Sequence, residues 1–209
     1  MSLDENVFRN ILIIGFLILI PIGAYHRVKS YTGEKLDRAQ EGLFILFTLR
    51  PVGIASMVGL ITYMISPAWM GWSSVPVPIW LRWIGIGLGI SAGSLLVWTL
   101  RSLGKNLTDT VVTRKEHTLI TRGPYRWVRH PFYSSVAIAM FANSLSAANW
   151  FLFVSGILFF VLITIRTRKE EHILLKRFGD GYRTYMDTTG RFLPRVGSES
   201  GTPTQMPLG

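Results

Sequence analysis

The chain has 209 residues, 49% of them hydrophobic and only 16% charged, with a formal net charge of +10 and a mean hydropathy of +0.34. A soluble domain carries about 25% charged residues, so sparse charge and long apolar runs exclude an ordinary soluble core and point to a membrane protein. The positive balance does not imply nucleic acid. No recognition module is present, and Lys and Arg collect on the cytoplasmic side of membrane proteins for topological reasons. With no cysteine there is no disulfide, thiolate metal site or Cys nucleophile. The histidines His26, His117, His130 and His172 fall in no HxxxH or HExxH spacing, so no metal site is expected.

In chain order, the first apolar run is NILIIGFLILIPIGAY, 10–25, short for a span and open to extension at its flanks. It follows Asp4-Glu5, with no basic n-region or small-residue cleavage site, so a cleavable signal peptide is not expected. The second run is GLFILFTLRPVGIASMVGLITYMI, 42–65, and the third is IWLRWIGIGLGISAGSLLVWTL, 79–100. Region 132–167 is too long for one span at about 1.5 Å per residue. A break at Ser146-Ala147-Ala148-Asn149 turns it into a hairpin of two helices. The expected fold is therefore an all-α integral membrane protein with about five transmembrane helices, the last two forming a hairpin that need not cross fully.

Charge orients the count. Arg27, Lys29, Lys35 and Arg38 lie between the first two runs, and Arg101, Lys105, Arg114, Lys115, Arg122, Arg126 and Arg129 lie between the third and fourth. Segment 66–78 and the turn 146–149 hold no Lys or Arg, whereas the region after 165 is rich in both. Alternating basic and neutral connections place the N-terminus outside and the C-terminus in the cytoplasm. The Ser/Gly/Pro/Thr-rich stretch 196–209 reads as a disordered tail.

On the predicted cytoplasmic side, RGPYRWVRHPFY, 122–133, packs three arginines, a histidine, two prolines and two tyrosines together. Gly123-Pro124 marks a turn, and His130-Pro131 starts a helix near Pro131. A helix N-terminus flanked by Arg126 and Arg129 suits an anionic group, although the same residues also suit anchoring at lipid headgroups. EHTLI, 116–120, lies just upstream. RTRKEEHILLKRFGDGYRTY, 166–185, leaves the fifth helix, with Arg166 and Glu170 on one face and glycines closing the segment at FGDGY.

The order HTLITRGPYRWVRHPFY, then a membrane hairpin, then R-x3-E-E-x6-FG-x2-Y, resembles the isoprenylcysteine carboxyl methyltransferase family. That family sits within a wider group that includes membrane phospholipid methyltransferases. The resemblance covers about residues 100–195. It implies an S-adenosylmethionine site made by His117, Thr118, Leu119 and Ile120, by Tyr125, by His130, Pro131, Phe132 and Tyr133, and by Glu170. It implies Arg166 as the ligand of a substrate carboxylate and the catalytic residue. Thr110 departs from the glutamine that some members place against the cofactor. The implied organisation is 1–100 as helices on the acceptor side, 101–195 as the catalytic half with a cytoplasmic cofactor pocket, and 196–209 as tail. The acceptor is a lipophilic carboxylate entering from the bilayer.

Other features carry competing readings. GIGLGISAG, 85–93, imitates a nucleotide loop, but no strand precedes it, and small residues at 85, 89 and 93 suit close helix packing. Arg50-Pro51 places a cation inside an apolar run, either as a second acceptor contact or as a snorkelling arginine. Arg82 is the other intramembrane ionisable group. The alternative enzyme is a phospholipid or lipid-amine N-methyltransferase, which needs a base such as Glu171 or His172 to deprotonate its acceptor. The alternative outside enzymes is a non-catalytic membrane protein.

Overall fold

The computed structural model describes residues 3–30, 45–104 and 119–195. Six α-helices occur among them: α1 (Leu3–Lys29), α2 (Arg50–Ile65), α3 (Ile79–Leu103), α4 (Pro131–Ser146), α5 (Trp150–Phe178) and α6 (Asp180–Thr188). No sheet forms among the described residues, only isolated bridges at Ser74–Asn149 and Val128–Gly190. His117, Thr118, Thr110 and the 196–209 tail lie outside the described residues.

Four helices are long and apolar enough to cross a membrane: Asp4–Lys29, Phe47–Ile65, Ile79–Leu103 and Trp150–Phe178. The helix that makes the predicted five, α4, has 16 residues, short of the roughly 20 that a span needs. One expected boundary changes and another holds. The first helix takes in Asp4 and Glu5 at its start and His26, Arg27 and Lys29 at its end, charges that match the helix dipole at both termini. The fifth runs unbroken for 29 residues from Trp150 through Arg166 to Phe178 and closes at the glycines of FGDGY, as expected. Charged residues leave a membrane without ending a helix; the end comes at Gly179, whose φ of +54° favours glycine.

Three glycines of the third run, Gly85, Gly89 and Gly93, face neighbouring helices. A side chain at Gly85 would meet Ser146 and the Ala142 carbonyl of α4, and one at Gly93 would meet Leu19 of α1. The close packing of α3 on α4 rests on Gly85 and Gly89, whereas Gly93 lets α1 approach. Arg50 begins α2, with Pro51 in its first turn and a π-helical turn at Ile45–Leu49 before it. The proline thus lies in the first turn of α2, and Arg50 is an exposed residue within the candidate span Phe47–Ile65.

At the neutral end of the bundle, buried polar groups join the helices. Arg82, 6% exposed, donates from Nε to the Ser146 carbonyl at 2.8 Å and from its two terminal nitrogens to Glu5 at 2.9 and 3.2 Å. Its guanidinium lies 4.1 Å from the centre of the Phe8 ring, and Tyr63 donates to Glu5 at 2.6 Å. Asn149 caps α5 by accepting from Leu152 N–H, and its amide donates to Ser73 at 2.8 Å.

Candidate active site

At the basic end, the segment 122–130 is held by both neighbours in sequence. Gly123, at φ +62°, comes so close to Ser102 of α3 that a side chain there would collide with it. Trp98 of α3 meets Trp127 edge-on at 5.5 Å. A 3₁₀ turn over Gly123–Arg126 then leads to His130 and the Pro131 start of α4.

The chain beyond α6 returns to this segment. Arg129 N–H donates to the Gly190 carbonyl at 2.8 Å, His130 N–H to Arg191 at 3.0 Å, and Gly190 N–H to Trp127 at 3.2 Å. Ser134 donates to the Phe192 carbonyl at 2.6 Å, and Tyr185 donates to the Tyr125 carbonyl at 2.6 Å. The site thus has three walls: 119–133, the end of α5, and α6 with residues 189–192.

Two adjacent carboxylates of α5 point to different environments. Glu171, its side chain 5% exposed, accepts from Arg129 Nε at 2.9 Å and from Arg191, and lies 3.2 Å from His130 Nε2. Arg129 also donates to the Met186 and Thr189 carbonyls. Glu171 is therefore an ionic hub for structure, since a buried carboxylate is tolerated when cations and donors surround it. Glu170, one residue earlier and half-buried, accepts from Tyr133 at 2.9 Å. Arg166 sits one turn back along α5, its guanidinium 6.0 Å from the Tyr133 ring centre. Burial, with the Glu170 carboxylate nearby, pushes the Tyr125 phenol above its ordinary range, so it stays a neutral donor. Burial and the Glu171 carboxylate raise Tyr182 likewise.

Of the predicted site residues, Tyr125, Tyr133, Arg166 and Glu170 come together in one corner. His130 stacks on Tyr133 at 5.6 Å, with Phe132 edge-on to Tyr133 at 5.8 Å, and Pro131 is buried beneath them. The imidazole of His130 faces Glu171, a partner the sequence did not suggest. Leu119 and Ile120 are half-buried coil leading into the corner, while Arg50 starts a different helix. Arg129 is turned away from the α4 N-terminus by Glu171, and Arg126 is exposed over the Trp127 ring at 4.7 Å. The arginine-flanked anion site read from the sequence is therefore not formed by these two side chains. Sequence reading also missed Arg191, Phe192 and Tyr182. The Tyr182 hydroxyl is buried without a hydrogen-bond partner among the described residues. Tyr182 was present as the last residue of FG-x2-Y in the family pattern, but no role was assigned to it.

The sequence profile of the isoprenylcysteine carboxyl methyltransferase family matches residues 84–176, from α3 to the carboxylate pair of α5. Across this stretch the chain is similar to that family. Methanethiol S-methyltransferase of Mycobacterium tuberculosis is 28% identical over 144 residues, 59% of this chain and 56% of that protein. Protein-S-isoprenylcysteine O-methyltransferase of Homo sapiens is 28% identical over 133 residues, 60% of this chain and 45% of that protein. The Schizosaccharomyces pombe protein of the same name is 30% identical over 99 residues, 44% of this chain and 41% of that protein. The chain spans about half the length of the curated relatives it matches. A solved structure of a eukaryotic intramembrane Ras methyltransferase of the family aligns with a TM-score of 0.54 at 24% identity, covering 70% of this chain and 52% of that one. This likeness concerns the fold. Together with the four apolar spans, the family match makes this an integral multi-pass membrane protein.

Proposed function

We propose that the chain is a membrane methyltransferase that uses S-adenosylmethionine to O-methylate the carboxylate of a lipophilic, isoprenylcysteine-like acceptor from the bilayer. The observation that carries this is the convergence of Tyr125, Tyr133, Arg166 and Glu170 in one corner at the basic end of the bundle. Positive-inside charge places that end in the cytoplasm, with the N-terminus outside and the C-terminus inside.

The residues present suit the cofactor. Glu170 supplies a carboxylate for hydroxyl or ammonium donors, and the buried Tyr182 hydroxyl supplies a hydrogen-bonding group not satisfied within the described residues. Leu119, Ile120, Tyr125, Pro131, Phe132 and Tyr133 supply an apolar and aromatic wall for a purine. His130 holds that wall through its stack on Tyr133, and His117 with Thr118 completes the set that the family resemblance implies. When bound, S-adenosylmethionine supplies an electrophilic methyl group on a sulfonium.

The remaining work is positioning. A carboxylate acceptor is ionised at neutral pH and needs no base. Arg166 holds it through a planar fork that matches two oxygens, and Arg50, at the head of α2, receives the anionic end from the bilayer side. The amine alternative fits less well. Glu171 is tied to two arginines and a histidine, and His172 is exposed, so neither is poised as a base toward the corner. A thiolate remains the second acceptor class, because one relative is named for methanethiol.

Transfer of radiolabelled methyl to a prenylcysteine analogue, to phosphatidylethanolamine and to a simple thiol tests the reading. A base-labile product from the prenylcysteine analogue supports it, and a base-stable product from either other acceptor contradicts it. Arg166→Lys is expected to lower turnover at least about a hundredfold, the scale of a misaligned acceptor, while leaving cofactor affinity unchanged. Unchanged turnover removes Arg166 from the mechanism.

A further inference from the structure

A cavity of about 1230 Å³ lies among α1, α2, α3 and α4, with Leu152 and Phe159 of α5 on its wall. None of Tyr125, Tyr133, Arg166 and Glu170 lines it, so it is a different space from the candidate active site. Glycine makes room in it. A Cβ built at Gly15 of α1 finds nothing within 4 Å, and one at Gly93 of α3 meets only Leu19. Both Gly85 and Val97 of α3 line the cavity, and the helix rises about 18 Å between them. That exceeds half of the roughly 30 Å hydrocarbon thickness, so the cavity has the length for one extended lipid chain.

Most polar groups of the wall are turned away from a ligand. Ser56 donates to the Val52 carbonyl at 3.0 Å, Ser94 to Ile90 at 2.9 Å and Ser135 to Phe132 at 2.7 Å. Such back-bonded hydroxyls present mainly carbon to the cavity. Asn143 of α4 differs. It lines the cavity half-buried, and its side-chain carboxamide has no hydrogen-bond partner among the described residues. Its neighbour Ala142 packs against Gly85 and Gly89. That contact sets Asn143 at a level about 9–15 Å along α3 from Ile79, inside the candidate span Ile79–Leu103. An amide left unanswered in hydrocarbon is costly, and amides at such depth ordinarily bond a neighbouring helix. The serines around Asn143 are already committed to their own helices.

We propose that this cavity binds a neutral, single-chain lipid alcohol, whose hydroxyl pairs with the Asn143 carboxamide and whose chain runs along α3 past Gly93. A carboxamide both donates and accepts, and a hydroxyl is the small neutral group that does the same. A charged head does not suit this end of the cavity. No Asp or Glu lines it among the described residues, and its two arginines, Arg27 and Arg101, stand in the last turns of α1 and α3, at the opposite end from Asn143. A charge buried without a partner there would cost far more than a hydroxyl. A plain hydrocarbon tail, such as that of the proposed methyl acceptor, would leave the carboxamide unanswered. The inference stands on the cavity and Asn143 and does not depend on the methyltransferase reading.

The test is equilibrium binding of radiolabelled 1-hexadecanol and of hexadecane to the detergent-purified full chain, counted above partition into protein-free micelles, with the thermal midpoint measured alongside. The wild type is expected to bind hexadecanol saturably. Asn143→Leu, which keeps the volume and removes the amide, should weaken hexadecanol binding at least about fivefold, the scale of one hydrogen bond, and leave hexadecane binding no weaker. Without any alcohol the same variant should melt no lower than the wild type, because no structural bond is lost. Gly15→Leu fills the cavity from the facing wall without a clash and should lower binding of both ligands. Hexadecanol binding that is absent in the wild type, or unchanged in Asn143→Leu or in Gly15→Leu, overturns the proposal. A lower midpoint for Asn143→Leu without alcohol also overturns it, by showing that the amide serves the fold. Displacement of hexadecanol by N-acetyl-S-farnesylcysteine at equal concentration overturns it too and assigns the cavity to the acceptor.

Discussion

Each end of the bundle is built around a carboxylate among cations, and the two differ in what is left over. At the neutral end, Glu5, Tyr63 and Arg82 satisfy one another, and Arg82 uses its remaining donor on the Ser146 carbonyl. At the basic end, Glu171 plays the same closing role with Arg129, His130 and Arg191, but a second carboxylate stands beside it. Glu170 is bonded to Tyr133, close to Arg166 and Tyr125, with the Tyr182 hydroxyl, unsatisfied among the described residues, buried alongside. Buried charge that satisfies itself ties helices together. Buried charge that leaves donors and acceptors over makes a site.

Substitutions test that contrast. Glu171→Ala has the largest expected effect. It strands two arginines and a histidine in a buried setting, where breaking a pair costs about 3–5 kcal/mol. The thermal midpoint in detergent should fall sharply and cofactor binding should fall with it. A variant that folds normally would show that Glu171 is not the hub. Arg82→Met comes next. Glu5 remains 24% exposed and can reach water, so the cost is nearer to about 1–3 kcal/mol. Here the midpoint should fall while cofactor affinity, measured below it, is unchanged. A loss of affinity in folded Arg82→Met would mean that the two ends are coupled. Tyr133→Phe has the smallest effect on stability, about 1 kcal/mol for one hydrogen bond. Its signature is weaker cofactor binding at a nearly unchanged midpoint, and equal binding would place Tyr133 with the structural groups.

What could be read from sequence follows the range of each interaction. The Gly123-Pro124 turn, the Pro131 helix start and the 146–149 break are written in adjacent residues, and each appears where turn chemistry puts it. The closeness of Tyr125, Tyr133, Arg166 and Glu170 was implied by the family pattern rather than by spacing. Glu5 with Arg82 joins residues 77 apart, and His130 with Glu171 joins residues 41 apart. No local periodicity records such pairings. Arg191 was invisible because it follows the last motif and acts only when 189–192 folds back along 127–130. The end of α5 was legible because FGDGY supplies the glycine that stops the helix at Gly179.

Equilibrium binding of S-adenosylmethionine to the detergent-purified protein, beside Glu170→Gln and His130→Ala, tests the central claim most directly. The account predicts saturable binding by the wild type and at least about tenfold weaker binding in Glu170→Gln, as expected for losing hydrogen bonds to a charged group, with an unchanged thermal midpoint. His130→Ala should weaken binding and lower the midpoint together, because its ring contacts both Tyr133 and Glu171. A folded wild type that fails to bind at millimolar cofactor, or a Glu170→Gln variant that binds as the wild type does, contradicts it.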